Sequence, residues 1–266
     1  QTASPGNPVK PVTVDNFVRA ETDLYFSNSV TSGGFGGWHH IRELMPIDHQ
    51  SLIRVNRDTL YSSAVFDLDA GPATVILPNS GQRFMSLQII SEDQYTTTEY
   101  GAGAHTLDKA KVGTRYVLAG VRTLVDPNDP EDLGRVHALQ DAIQVQQANG
   151  PGKFEVSNWD KESQKKVRDA LLVLASTVTD TRRAFGTKEE VDPVQYLLGA
   201  ASAWGANAPR DAVYLNVVPT RNDGSTNYVL KVRDVPVDGF WSISVYGADG
   251  YYAKNAYNAY SLNSIT

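Results

Sequence analysis

Cysteine is absent from this chain. No disulfide framework, thiolate metal site or thiol nucleophile can therefore be built. Methionine is scarce, and no apolar run approaches the ~20 residues that a membrane-spanning helix needs. Positive charge is in deficit: 24 Lys and Arg face 30 Asp and Glu, leaving a net charge of −6. A global basic field for sequence-independent nucleic-acid binding is missing, so DNA and RNA are not expected partners. The glycine-rich stretch "SGGFGGWHH" lacks the Lys-Ser/Thr of a phosphate-binding loop. Ser163 and Lys166 have the S-x-x-K spacing of some hydrolases, without the partner motifs that give it meaning. No cofactor-binding motif is present, and no organic cofactor is expected.

What remains is an ordinary globular composition, 41% hydrophobic and 20% charged. Its 266 residues suffice for one large domain or two small ones. The chain begins with Gln1 and a polar, proline-rich lead, "QTASPGNPVKPV". That lead reads as the exposed start of a mature protein after removal of a signal peptide, which implies a periplasmic or secreted location.

Periodicity divides the chain into three. A first helix is expected over about Val14–Ser27, capped by Asp15. Strands follow in "TLYSSAVFDL", "ATVILP", "RFMSLQIISED" and "TRYVLAGVRTLVD". The first of these puts Leu60, Ser62, Ala64, Phe66 and Leu68 on one face and Thr59, Tyr61, Ser63 and Val65 on the other. From Asp126 the period becomes helical. Asp129–Pro130 and Asp192–Pro193 are helix starts, and Val167, Leu171, Leu174 and Val178 form one stripe between them. After Gly205 strand signals return in "AVYLNVV", "NYVLKV" and "GFWSISVY", with "RNDGS" as a hairpin turn. The expected fold class is mostly β or α+β with antiparallel sheets. Its divisions are a β-rich region with a leading helix at 1–125, a helical connector at 126–205 and a second β-rich region at 206–266.

Two long motifs carry a resemblance. "RVNRDTLYSSAVFDLDAGPATVILPNSGQRFMSLQ" resembles the core of domain of unknown function 1254. "PVDGFWSISVYGADGYYAKNAYNAYSL" resembles its frequent companion, domain of unknown function 1214. The resemblance implies two jelly-roll-like β-domains joined by a helical segment, often in exported bacterial proteins. It also implies further strands after "YSLNSIT". An open sheet edge near Thr266 is therefore expected, covered by a partner subunit of a homo-oligomer or by a missing C-terminal fragment.

Chemistry is densest in "RVNRD", where Arg54, Asn56, Arg57 and Asp58 crowd the entrance of a strand. They can converge on an anionic or polar substrate, with Tyr61 beside them, or they can simply tie down their own loop. His39, His40, Glu43, Asp48 and His49 lie close together, but their spacing is not H-E-x-x-H and no metal is expected. His49 stands near Arg54 as a proton-transfer candidate. Glu92 and Asp93, with Tyr95 adjacent, end a strand and form an acid–base candidate. Trp241 heads an aromatic-rich stretch able either to stack on a planar ligand or to fill a core.

The resulting expectation is an exported protein that binds a small polar or anionic molecule between two β-domains. Asp58, His49, Glu92 and Asp93 are candidates for hydrolytic or acid–base chemistry. Arg54, Asn56, Arg57, Tyr61, Tyr95 and Trp241 are candidates for binding. The rival is a carbohydrate-binding or assembly protein of jelly-roll type without catalysis.

Overall fold

The computed structural model describes residues 8–50 and 54–265. Helix and strand are nearly equal, at 22% and 21%, which makes the chain α+β with antiparallel sheets. Two sheets share the main core. The larger holds β1 (His39–His40), β2 (Thr59–Asp67), β4 (Met85–Ser91), β5 (Thr96–Tyr100) and β7 (Tyr116–Leu124), in the order β1-β2-β7-β4-β5. The smaller holds β3 (Ala73–Leu77), β6 (Gly103–Leu107) and β8 (Gln144–Gln146), ordered β6-β3-β8.

Alternation in the sequence builds the layer between them. Ala64, Phe66, Val117, Ala119, Val121 and Leu87 point from the large sheet, and Ala73, Val75 and Leu77 meet them from the small one. The face of β2 read from "TLYSSAVFDL" is therefore the buried one. β7 is buried on both faces for most of its length because it is central, which suits its β-branched composition.

The far face of the large sheet is packed by a helix at one end and by loop residues such as Gly205 and Phe240 at the other. The helix, α1 (Phe17–Thr31), lays Phe26 against Val65, Leu118 and Ile90. Its Phe17 and Ala20 turn the other way, onto Leu171 of α4 (Lys161–Ala175) and Leu198 of α5 (Pro193–Ala203). α1 starts three residues later than its pattern suggests. Asp15 does not cap it, and Asn16 uses its side-chain oxygen to accept from the Thr13 N–H. A short α2 (Lys109–Val112) precedes β7. The Asp-Pro starts behave as read: Asp129 caps α3 (Pro130–Asp141) and Asp192 caps α5, each with Pro at the first turn.

Residues 126–205, read as a helical connector, also hold β8, which pairs with β3. The second β-rich region is largely irregular: in residues 206–265 only β9 (Ser242–Ser244) and β10 (Ser261–Asn263) form, paired with each other. "AVYLNVV" and "NYVLKV" have no ladder partner, so their β-propensity has nothing to act on. Trp241, inside the strand signal "GFWSISVY", immediately precedes a strand of only three residues.

Candidate functional site

The register of the large sheet decides which candidate residues can meet. Thr59 pairs with Leu124 and Met85 with Thr123, so these residues mark one end of the sheet. Asp67 pairs with Tyr116 and Ser91 with Val117 at the other end. Arg54, Asn56, Arg57 and Asp58 stand before Thr59; Glu92, Asp93 and Tyr95 stand after Ser91. A strand rises about 3.3 Å per residue, so the nine-residue β2 separates the two groups by roughly 25 Å. The arginines and the Glu92–Asp93 pair do not share a cleft.

At the first end, the "RVNRD" stretch is the dock for the C-terminal region. The Arg54 N–H donates to the Gly250 carbonyl at 2.8 Å, with Arg54 at a positive φ of 54° and its side chain exposed. Tyr246 donates its hydroxyl to the Val55 carbonyl at 3.2 Å. Asn56 accepts from the N–H groups of Asp58 and Thr59 and donates to the Tyr61 hydroxyl at 2.7 Å, so it holds its own loop. Asp58 is buried; one carboxylate oxygen accepts from Asn263 at 3.1 Å and the other has no partner. Gln50 exchanges two hydrogen bonds with the Tyr252 backbone, at 2.9 and 2.8 Å.

Arg57 is the member of this group that faces a cavity. It lines a space of ≈ 250 Å³ together with Pro127, Asn128 and residues 257–261. Its guanidinium donates to the Met45 carbonyl and lies 5.5 Å from the centre of the Tyr260 ring. No carboxylate pairs with it among the described residues. Burial, the largest influence, pushes its pKa below the ordinary arginine value. Tyr257, on the rim, is 90% exposed.

The second end is a carboxylate knot between helix and sheet. Glu92 is buried, lies 3.7 Å from Arg19 and accepts from the Tyr116 N–H. Asp93 takes the Arg19 guanidinium, and Tyr196 donates its hydroxyl to the Asp93 carbonyl while stacking on Tyr95. Asp23 of α1 joins them, accepting from the Trp159 indole at 2.7 Å. Burial pushes its pKa up to about 7; the indole N–H opposes the shift and the neighbouring Glu92 carboxylate adds to it. These groups stitch α1 to the end of β4.

The remaining candidates lie apart. His49 is exposed, its backbone turning onto Pro46. His39 and His40 form β1, and His40 bonds Ser62 at 2.7 Å. No three His, Asp or Glu side chains gather as a metal-ligand set among the described residues. Trp241 is half-buried, and its carbonyl accepts from the Ser264 N–H. Sequence reasoning passed over Arg122, read only as part of a β-strand. The signal was present: a charged residue inside "VLAGVRTLV" has to be accommodated somewhere.

Residues 35–111 match the family described as "Protein of unknown function (DUF1254)", and residues 218–266 match "Protein of unknown function (DUF1214)". No match is found among curated proteins. The crystal structure of the VPA0106 protein from Vibrio parahaemolyticus aligns with a TM-score of 0.66 at 17% identity, over 95% of this chain and 82% of that one. A likeness at that identity concerns the fold alone.

Proposed function

We propose that this chain, which carries the DUF1254 and DUF1214 regions in tandem, binds a small anionic molecule at the seam between them. One observation carries the reading: Arg57, from the first region, lines a ≈ 250 Å³ cavity together with residues 257–261 of the second. A half-buried guanidinium without a carboxylate is costly unless an anion meets it, and its fork of N–H donors suits a carboxylate or phosphate. Binding is favoured over hydrolysis because Glu92 and Asp93 sit at the far end of the sheet, and neither Asp58 nor His49 is among the residues that line the cavity.

The finer expectations belong to the same proposal. A second half of jelly-roll type would be built around β9 and β10, and the polar, proline-rich lead goes with export. Calorimetric titration with inorganic phosphate and with acetate at low ionic strength tests the site. Arg57→Gln is expected to weaken binding about 10- to 100-fold, the worth of a charged hydrogen bond. Unchanged affinity in that variant, or no binding by the unaltered chain, overturns the proposal.

A further inference from the structure

Only half of the far face of the large sheet is covered by apolar packing, and the other half is polar. Cross-strand register sets Tyr61 opposite Arg122, Arg122 opposite Ser86, and Ser86 opposite Tyr100. The next row on that face runs Ser63, Gly120, Gln88, Thr98. α1 packs on the row beyond, where Val65, Leu118 and Ile90 lie, and reaches Ser63 through Ser29 at 3.2 Å. Gln88 donates to the carbonyls of Gly205 and Ala206, so the Arg122, Gly120 and Thr98 positions are the part of these rows that neither covers.

Arg122 is anomalous there. Every other half-buried arginine of the described residues except Arg57 has a carboxylate partner; Arg19, Arg42, Arg83, Arg115 and Arg168 all do. Among the described residues Arg122 has neither an ion pair nor a hydrogen bond, and its Nε is buried without an acceptor. Its guanidinium is flanked by rings instead, 5.9 Å from the centre of Tyr61 and 5.8 Å from that of Phe240. Ring stacking uses the face of a guanidinium and leaves its in-plane donors unspent. Asp211, which meets the same row through Tyr100, takes that hydroxyl at 2.9 Å and lies 3.6 Å from Arg210. On the adjoining row the Thr98 hydroxyl is likewise buried and unpartnered.

The surroundings define what could fill this place. Phe240 packs on Phe84 with ring centres 5.0 Å apart, and Phe84 lies 6.2 Å from Tyr100, so the aromatic wall continues from the arginine. Gly239 makes that wall possible: a Cβ there would come within 2.8 Å of the Phe84 ring. On the floor, a Cβ added at Gly120 would meet nothing nearer than Leu118 at 3.7 Å, which leaves room over the strand. None of these residues lines the Arg57 cavity.

We infer that the polar end of this sheet face is a second binding site, for a small carboxylate with a flat apolar body. Arg122 receives the carboxylate in the plane of its fork, Tyr61, Phe240 and Phe84 flank the body, and Thr98 offers its hydroxyl. A guanidinium held between rings pairs with a planar carboxylate through two parallel N–H bonds. The aromatic wall then distinguishes this ligand from a bare anion.

Titration of the full chain with benzoate, acetate and inorganic phosphate at low ionic strength tests the inference. Benzoate is expected to bind more tightly than either small anion. Arg122→Gln should weaken benzoate about tenfold or more while leaving the phosphate response of the Arg57 cavity intact. Arg57→Gln should do the reverse, so the two sites fail separately. Gly120→Val keeps the arginine and fills the floor; it should abolish benzoate binding at an unchanged unfolding temperature, and it decides the matter if Arg122→Gln does not fold. Benzoate affinity retained in Gly120→Val, or no preference for benzoate over acetate, overturns the site.

Discussion

Two regions of this molecule have the same kind of sequence and opposite fates. Between Thr59 and Leu124, alternating β-branched residues become a sandwich in which Val65 and Val117 are wholly buried. Between residues 212 and 232 a similar alternation stays irregular, with Leu215 87% and Val229 83% exposed. The contrast teaches that strand propensity measures how well a side chain fits a pleated, half-buried surface. Where a neighbouring strand supplies the ladder, the pattern is realised. Where none does, valine and leucine remain in solvent.

The largest test of that contrast is in the core. Phe66→Ala removes a wholly buried ring from between the sheets and is expected to cost about 3–5 kcal/mol in urea unfolding. Native-state hydrogen exchange should show the same division, with β2 and β7 amides opening only on global unfolding and residues 212–218 nearly unprotected.

The second test concerns the carboxylate knot that fastens α1 to the sandwich. Asp23 is raised from 3.8 to about 7, so between these values the folded protein keeps a proton that the unfolded chain has lost. The stability this contributes is fully present below pH 3.8 and is lost as pH rises through about 7. The slope is at most about 1.4 kcal/mol per pH unit. Asp23→Asn, which mimics the protonated form, should flatten that slope in unfolding measured from pH 4 to 8. An unchanged slope would mean that Asp23 does not hold the proton.

Between the two regions lies the dock. Tyr246→Phe removes the hydroxyl that donates to Val55 and should cost about 1 kcal/mol. It should also raise exchange at the Arg54 amide, whose acceptor is Gly250. Smallest of all is Leu215→Ala, expected within about 0.5 kcal/mol of the unaltered protein. A loss as large as that of Phe66→Ala would show that residues 212–218 are packed in solution, and the contrast would collapse.

The sandwich was legible because period-two alternation and the Asp-Pro helix starts are local signals. Leu60, Ala64 and Phe66 could be assigned to one face from spacing alone. β8 was not legible: "QVQ" is three residues of polar-flanked strand behind a helix, and only its pairing with β3 defines it. In "RVNRD" the residue types were visible but their division of labour was not. Asn56 holds its loop, Arg54 lends its backbone to Gly250, and Arg57 alone turns to the cavity. Arg122 escaped notice because its meaning lies in what it lacks, a carboxylate, and that absence is a property of three dimensions.

The position of β8 also bears on how the chain is made. Ile143 belongs to the main core and Gln144–Gln146 flank β3, although both come after α3 in the chain. During synthesis the ribosome must therefore release residue 146 before the smaller sheet can close. Until then the edge of β3 that β8 will occupy is open to other strands.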